Sequence, residues 1–418
     1  MINFLFTKTP LMFLVQSFWR DESFSYLLAK KNLFEILILT AKDFNPPLYY
    51  LLLHFWMTIF GSTEIALRSL SLIFYWATLY VAYLFMAEIM KLSGKKPALY
   101  LLLFLVNPFL IYYAFEARMY SLLAFLASLS FYALYKKNDR LYLVAAIAGL
   151  YTHYFMIFVI AAQLIFTKRL WKKAVWIAVA FLPWLVFVAL QKGLNVNSFW
   201  IEKPSPSIFL QLVGIIYTGF ENNSFAKDQP VTIISVFLLF IIAIGHKKTK
   251  LFWQLLLWAV GIPLFIAIIS FYKPIFFPRY FIFSAVGLIL LLVYVLEKLP
   301  VYARGLIIIF IVIVTFRYQQ TDLIARKKDN VRKTITEIKT LAGKNDVIYV
   351  TNELDFFDAQ YYFSEKRVFI YGKTYEEIPA YVGKVLMPKS KLVYSLPVYP
   401  QKAFILTSPD HYEIQATY

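Results

Sequence analysis

Residues 107–140, "NPFLIYYAFEARMYSLLAFLASLSFYALYKKNDR", carry the pattern that decides the fold. The polar residues Glu116 and Arg118 stand at the start of an apolar run over 117–135, and this run ends at a basic connector, 136–140. A helix needs about 20 mostly apolar residues to cross a bilayer, and short connectors rich in Lys and Arg stay on the cytoplasmic side. The stretch therefore predicts one membrane span with a polar outer end and a basic inner end.

The same pattern recurs along the chain. Of the 418 residues, 61% are hydrophobic, 19% are aromatic and only 16% are charged, which is too apolar for a soluble domain. We expect a polytopic membrane protein with about 11 transmembrane helices. The predicted spans are 1–18, 67–90, 97–114, 117–135, 140–152, 154–167, 174–190, 229–245, 251–271, 280–296 and 304–320.

The basic connectors predict the orientation of these spans. They fall at every second turn, and their acidic residues are Asp139 and Glu297 alone. The positive-inside rule makes all of them cytoplasmic. The N-terminus is therefore predicted on the cytoplasmic side of the cell membrane, and the C-terminus on the external side. The five connectors are 91–96, 136–140, 167–173, 246–250 and 297–304.

The long connections then all lie outside. They are the external loop 19–66, which carries Asp21 and Glu22, the connection 191–228 and the tail from 321. Residues 19–66 contain two aromatic-rich segments, 32–44 and 45–61, which we interpret as helices lying along the membrane interface. The tail alternates helical and strand patterns and predicts a small extracytoplasmic α/β domain over 321–418, after a transmembrane domain over 1–320. Predicted helices are 331–343 and 356–363, and predicted strands are 346–350, 367–371, 391–396 and 402–408.

Several function classes are excluded or disfavoured by composition and motif. The chain has no cysteine, which removes disulfides, thiolate catalysis and cysteine metal sites. No GxxxxGK[ST] or GxGxxG phosphate-binding motif occurs. Of the net charge of +18, +16 lies in residues 1–320, the predicted membrane part, where it follows the cytoplasmic connectors, so it does not indicate nucleic-acid binding. No spaced group of His and carboxylates accompanies the acidic residues, and we predict that no metal or other cofactor is needed.

Polar clusters occupy the external ends of the predicted spans. Ionisable groups at membrane depth are costly and commonly mark a site or an ion pair. We therefore expect these clusters to meet on one external membrane face. They are Asp21-Glu22, 43–47, 116–120, 151–154 and 278–280.

Six segments around these clusters resemble the successive signature segments of GT-C glycosyltransferases of the protein mannosyltransferase and lipid A aminoarabinose transferase superfamily. The resemblance covers about residues 15–290, with Asn45-Pro46-Pro47 where relatives often have His-Pro-Pro. It implies inverting transfer of a sugar from a polyprenyl-phosphate carrier to an external glycan, lipid or protein, without a metal. The segments read "FWRDESFSYLLAK", "DFNPPLYYLLLHFW", "FGSTEIALRSLS", "NPFLIYYAFEARMYSLL", "GLYTHYF" and "FFPRYF".

Asp21 matches the catalytic aspartate of that family, and its chemistry suits the role. A carboxylate in hydrogen-bond reach can take the proton of an acceptor hydroxyl, and partial desolvation beside Trp19 and Phe24 would raise the pKa of Asp21 and strengthen it as a base. We expect Glu22 to orient Asp21 or to hydrogen-bond substrate. The alternative is that both carboxylates form a solvated turn or pair with Arg20.

Arg118 and Arg279 are the candidates for binding the lipid phosphate. A guanidinium can donate two parallel hydrogen bonds to phosphate oxygens. The alternative for Arg118 is an ion pair with Glu116, although residues two apart on a helix do not face each other. The alternative for Arg279 is that its side chain only extends, or snorkels, to the membrane interface.

Five further residues are expected to contact substrate. The ring nitrogens of His153 can donate to a phosphate or a sugar hydroxyl, and Asn45 can bind a sugar or simply begin the turn before Pro46. A structural His and packing or interfacial tyrosines are the competing interpretations. The five are His153, Asn45, Glu116, Tyr113 and Tyr120.

Other functions fit parts of the pattern. A lipid-linked-sugar flippase or other transporter would also be polytopic and basic, but transporters commonly show internal repeats, and no repeat is visible here. An oligosaccharide ligase and a non-catalytic membrane scaffold are further alternatives.

Overall fold

The computed structural model describes residues 2–43, 45–191, 200–221, 225–245 and 249–418. Side chains at 2, 3 and 225–228 are excluded from this description, and the predicted connector 246–250 lies largely outside it. The described chain is mainly helical with one small sheet. The helices are α1 (Ile2–Lys8), α2 (Met12–Val15), α3 (Arg20–Ala29), α4 (Leu33–Lys42), α5 (Leu48–Phe60), α6 (Glu64–Leu84), α7 (Lys96–Leu105), α8 (Pro108–Ala114), α9 (Tyr120–Tyr135), α10 (Asp139–Thr152), α11 (Met156–Phe166), α12 (Trp171–Leu190), α13 (Ile208–Thr218), α14 (Phe225–Ala243), α15 (Lys250–Leu256), α16 (Ile262–Ser270), α17 (Ile282–Leu296), α18 (Val301–Ala325), α19 (Val331–Leu341) and α20 (Phe356–Tyr362).

The chain forms two compact units. The first comprises 1–68, 187–200 and 326–418, and the second comprises 69–186 and 201–325. The first unit contains α1–α5, α19, α20 and the sheet. The second contains α7–α11, α13–α18 and most of α6 and α12.

Five helical segments of the described chain are long and apolar enough to cross a membrane. They are Glu64–Ile89, Lys168–Leu190, Lys250–Ser270, Pro278–Leu296 and Val301–Ala325. Several predicted spans are shorter apolar helices instead, among them α9 and α11. The polytopic helical class is therefore confirmed, but the count of 11 transmembrane helices is not.

Two predicted spans differ from single helices. The segment 1–18 forms α1 and α2, which are interrupted around Pro10, a residue that has no backbone N–H to continue a helix. The segment 97–114 forms α7 and α8, bent by 73°. At this bend Asn107 caps α8, because its side chain accepts a hydrogen bond from the Leu110 amide (3.0 Å).

Helix α13 was not predicted from the sequence. Its 11 residues are too few for a span, and they fall in the external connection 191–228, where we predicted no membrane span. The helix ends at Gly219, whose φ of +68° is a left-handed conformation that glycine adopts without strain. Both interfacial segments of the first external connection are helical as predicted, as α4 and α5.

Helix α17 forms the core of the second unit. All of its residues are buried, and it packs against α9, α13, α14 and α15. Close packing requires a glycine at one point: a Cβ on Gly287 would lie 2.8 Å from the indole of Trp258. Trp258 in turn stacks on Phe131 with ring centroids 3.9 Å apart.

The tail contains a small sheet with helices, as its sequence pattern predicted. The strands are β1 (Val347–Val350), β2 (Val368–Tyr371), β3 (Leu392–Val393), β4 (Ala403–Ser408) and β5 (His411–Gln415). The sheet order is β3-β2-β1-β4-β5, with parallel pairing except between β4 and β5. All four predicted strands form, whereas the antiparallel edge strand β5 was missed. Helix α20 packs on β1 and β2, and α3 of the same unit packs on α20.

Candidate functional site

Asp21 and Glu22 lie in the first turn of α3, not in the loop we expected. Adjacent residues on a helix point about 100° apart, so the two carboxylates have different surroundings. The side chain of Asp21 is 15% exposed, whereas that of Glu22 is 0% exposed. The helix thus separates a reachable carboxylate from a buried one.

Glu22 is the centre of a buried ion cluster. Arg68 donates to both of its oxygens, from Nε to Oε1 (2.8 Å) and from Nη2 to Oε2 (2.7 Å). Lys328 Nζ, on the segment before α19, also donates to Oε2 (2.7 Å). Burial raises the pKa of Glu22, but the charges and hydrogen bonds of Arg68 and Lys328 outweigh burial and lower that pKa to about 2. Glu22 is therefore ionised and held in one orientation.

Arg68 connects this cluster to the chain before α3. Its Nη1 donates to the carbonyl oxygens of Leu14 (2.9 Å) and Gln16 (2.7 Å), and its guanidinium lies over the ring of Phe18 at 4.9 Å. Arg68 lies within "FGSTEIALRSLS", but sequence analysis gave it no role, and it also gave none to Lys328. Both fix the start of the helix that carries Asp21.

Asp21 is paired with its neighbour. Arg20 donates to Asp21 Oδ1 from Nε (3.1 Å) and from Nη2 (3.0 Å), the ion pair that we had considered as the alternative to a catalytic role. The backbone oxygen of Asp21 accepts from Ser25 Oγ (2.8 Å). The N-terminal end of a helix also stabilises a negative charge.

The tail supports α3 through a second carboxylate. Ser23 Oγ donates to Asp358 Oδ1 of α20 at 2.5 Å, and both residues are buried. Burial raises the pKa of Asp358 well above its usual range, and Asp355 and Glu22 add to that rise while Ser23 and Lys328 oppose it. The α/β domain thus contacts α3 one residue beyond Glu22.

Asn45 stands at the turn between α4 and α5. Its Nδ2 donates to Asp43 Oδ2 (3.3 Å), and Asp43, which ends α4, is only 6% exposed. Phe44 lies outside the described residues. Asp43 is a buried carboxylate in the same motif, and we had not singled it out.

A separate polar cluster lies in the second unit and contains six of the predicted residues. The loop 115–119 holds Glu116 and Arg118, both buried, with the Arg118 amide bonded to the Glu116 carbonyl (2.7 Å). The guanidinium carbons of Arg118 and Arg279 each lie 5.9 Å from the ring centroid of Tyr120. The structure therefore groups both predicted phosphate-binding arginines around one tyrosine.

Tyrosine and histidine rings extend this cluster. Tyr120 lies with its ring centroid 4.9 Å from Tyr113 and 6.3 Å from His153. His153 contacts Tyr280 at 4.9 Å. Three of the five polar clusters predicted to meet, 116–120, 151–154 and 278–280, thus lie together.

His153 is held as a neutral ring. Its Nδ1 accepts a hydrogen bond from the Phe155 amide (3.2 Å), which leaves the proton of the neutral ring on Nε2. Burial lowers the pKa of His153, and the nearby charge of Arg118 lowers it further, to about 3. His153 can donate from Nε2 at physiological pH, but it does not carry a positive charge there.

Glu221 is a further functional candidate that sequence analysis missed. It follows α13 by three residues, and its carboxylate accepts from Arg279 Nε (3.1 Å), Arg279 Nη2 (2.6 Å) and Tyr113 Oη (2.6 Å). The sequence offered a weak signal, since Glu221 is the first acidic residue after an apolar segment and a glycine. Arg279 is therefore bound by a carboxylate and is not merely snorkelling.

In the part of the chain that the structure describes, no three His, Asp or Glu side chains are grouped so that they could hold a metal ion.

These features define a polytopic helical membrane protein with a small α/β domain. It has a buried ion cluster around Glu22 at the start of α3 and a cluster of arginines and tyrosines around Tyr120 at helix ends. A comparison with solved structures finds ArnT from Cupriavidus metallidurans. In the apo state it aligns with a TM-score of 0.64 and 13% identity, over 96% of this chain and 91% of that chain. ArnT bound to undecaprenyl phosphate aligns with a TM-score of 0.62 and 12% identity, over 98% and 93%.

At this level of identity the likeness shows the fold. The chain has the fold of ArnT, a GT-C fold, along nearly its whole length, and the fold implied by the sequence resemblance is confirmed. No protein-family model and no curated protein matches the sequence.

Proposed function

We propose that this protein is an inverting membrane glycosyltransferase that moves a sugar from a polyprenyl-phosphate donor to an acceptor on the extracytoplasmic face. The observation that carries this proposal is the nearly full-length likeness to ArnT, which has been crystallised with undecaprenyl phosphate. The acceptor is a cell-envelope glycan, a lipid or a protein. The proposed location is the cytoplasmic membrane, with the N-terminus inside and the α/β domain outside.

Asp21 is the proposed general base. It takes the proton of the acceptor hydroxyl as the acceptor oxygen forms a bond to the anomeric carbon of the donor sugar. Its position in the first turn of α3, with a partly exposed side chain, supports this role. Glu22, held by Arg68 and Lys328, orients the helix start and does not itself accept a proton, because its pKa is about 2.

Arg118 and Arg279 are the proposed ligands of the donor phosphate. The bond between the anomeric carbon and the phosphate oxygen breaks with its electron pair left on that oxygen, so negative charge develops on the phosphate. Both guanidinium groups flank Tyr120 in this cluster. His153 can donate a neutral hydrogen bond from Nε2, and Tyr113, Tyr120, Glu116 and Asn45 are proposed to position the substrates. No metal ion or other cofactor takes part in the proposed reaction.

The test is sugar transfer by the purified full chain in nanodiscs, supplied with a panel of polyprenyl-phosphate sugars. Asp21→Asn keeps the shape of the side chain but removes the base, so we expect donor binding to persist while transfer or donor hydrolysis falls about 10²–10⁴-fold. Glu35→Gln serves as a matched control, because Glu35 is an exposed capping residue of α4.

The possible outcomes separate the competing functions. Equal turnover in wild type and Asp21→Asn would contradict the assignment of the base. Donor binding without turnover in either protein, together with movement of the lipid-linked sugar across a vesicle membrane, would favour a flippase instead.

A further inference from the structure

Glu221, Arg279 and Tyr113 form a hydrogen-bonded triad in the second unit. The carboxylate binds Arg279 through Nε and Nη2, at 3.1 Å and 2.6 Å, and the Tyr113 hydroxyl donates to Oε1 at 2.6 Å. The side chains of Arg279 and Glu221 are only 11% and 19% exposed. Two parallel bonds between a guanidinium and an anion, partly shielded from water, form one of the stronger polar contacts in proteins.

The local fold fixes Glu221 in this position. Helix α13 ends at Gly219, where a Cβ would lie 2.4 Å from the ring of Phe109 on α8. Asn107, the capping residue of α8, donates from Nδ2 to the carbonyl oxygen of Tyr217 (2.8 Å). The contacts of Gly219 and Tyr217 thus attach the end of α13 to α8. Since α8 also carries Tyr113, they hold Glu221 close to the tyrosine that donates to it.

A carboxylate with this geometry offers Arg279 the same pair of oxygen acceptors as a phosphate. Resting on the function proposed above, we infer that Glu221 is a positioning residue that promotes release of the polyprenyl phosphate product by exchanging with it on Arg279. The role of Glu221 is thus exerted through Arg279 and not by contact with the sugar.

The charge change of the reaction explains why such an exchange is needed. A polyprenyl-phosphate sugar is a phosphodiester with one negative charge, and transfer converts it to a monophosphate whose second proton has a pKa of about 6. Arginines that stabilise the leaving phosphate therefore bind the product more tightly than the donor. Glu221 lowers the net cost of withdrawing Arg279 from that product, since the guanidinium regains a bidentate anion.

The experiment measures product affinity and two rates for Glu221→Gln in the full chain. Undecaprenyl phosphate in nanodiscs is the product probe, and we expect it to bind about tenfold more tightly, the factor that a hydrogen bond to a charged group commonly supplies. Single-turnover transfer should stay within about twofold of wild type, while steady-state turnover falls about tenfold and shows an initial burst.

A further variant tests the same exchange. Glu221→Asp keeps the charge with a shorter reach and should tighten product binding about threefold. Because Glu221→Asp preserves the charge of the ion pair, its affinity for undecaprenyl phosphate tests the inference even if Glu221→Gln does not fold.

The results that overturn the inference differ from those that overturn the proposed function. If Glu221→Gln binds undecaprenyl phosphate more weakly than wild type, Glu221 does not promote product release. The same conclusion follows if Glu221→Gln shows no initial burst of transfer while wild type is active. If wild type neither binds undecaprenyl phosphate nor transfers a sugar, the proposed function itself fails.

Discussion

The buried ion cluster around Glu22 makes a quantitative prediction for Glu22→Gln. The pKa of Glu22 falls from 4.5 to about 2 in the folded protein. Each unit of pKa corresponds to about 1.4 kcal/mol, so the ionised carboxylate contributes about 3 kcal/mol to the free energy of unfolding. Removing one partner of a buried ion pair costs about 3–5 kcal/mol, which agrees with that value.

The assay is thermal unfolding in detergent, followed by the fluorescence of the nine tryptophans. A domain of about 150–250 residues loses about 2–4 °C of melting temperature per kcal/mol, so we expect Glu22→Gln to melt about 6–12 °C below wild type. In a Glu22→Gln background, Lys328→Met should recover part of this loss, because it removes a buried charge that has lost its partner.

The dependence on pH follows from the depressed pKa. A carboxyl group whose pKa is lowered by folding stabilises the fold at pH values above its pKa in the unfolded chain. It loses that contribution as the pH falls through its pKa in the folded protein. The difference between wild type and Glu22→Gln should therefore be constant from pH 8 to about pH 5 and should shrink between about pH 4 and pH 2.

Asp21→Asn is the matched control, since it makes the same change one residue earlier on α3. The Asp21 pair with Arg20 is partly exposed, and pairs of this kind contribute at most about 1 kcal/mol. Its melting temperature should stay within about 3 °C of wild type. A Glu22→Gln protein that melts within about 2 °C of wild type, or an Asp21→Asn protein that loses as much, would refute the reasoning.

Three further predictions concern pH and packing. Burial, with Asp329 and Glu353 nearby, raises the pKa of Asp355 to about 6. Stability is therefore lost as the pH rises from about 4, the pKa of an aspartate in the unfolded chain, to about 6, and the full cost of ionising Asp355 persists above pH 6. Asp355→Asn should raise the melting temperature at pH 8 by a few degrees and leave it nearly unchanged at pH 4; an equal gain at both values would contradict this assignment. His153 has a pKa of about 3 and stays neutral from pH 5 to pH 8, so His153→Gln should lower the rate of transfer without changing the shape of its pH profile over that interval. Loss of an inflection near pH 6.5 in the variant would show that a charged His153 takes part. Gly287→Ala places a Cβ 2.8 Å from Trp258 and should destabilise the protein by about 1–3 kcal/mol, whereas Gly305→Ala, which meets nothing within 4 Å, should not lower the melting temperature.

The sequence was most informative where local pattern decides structure. Apolar runs predict helices because a membrane-facing backbone must satisfy its hydrogen bonds within its own segment. Alternating apolar residues in the tail predicted four of the five strands for a similar local reason. The interruption at Pro10 and the bend at Asn107 were missed, although both residues could have indicated them.

The candidate site was predicted only in part. Sequence analysis singled out Asp21, Arg118 and Arg279, since charged residues at the ends of apolar runs are unusual. The resemblance to the family segments added to the case for Asp21 and was the reason to select His153. It could not assign partners. Arg68 and Lys328 lie 46 and 306 positions from Glu22, and no local pattern relates residues at such separations.

The sequence by itself therefore determined the membrane class, four of the five strands of the tail and the charged residues at the ends of helices. Only the tertiary structure decided that Glu22 is buried while Asp21 remains reachable, and that Arg279 is held by Glu221. Burial and ion pairing depend on which distant segments pack together, and their energies are set by the desolvation and distance of each pair.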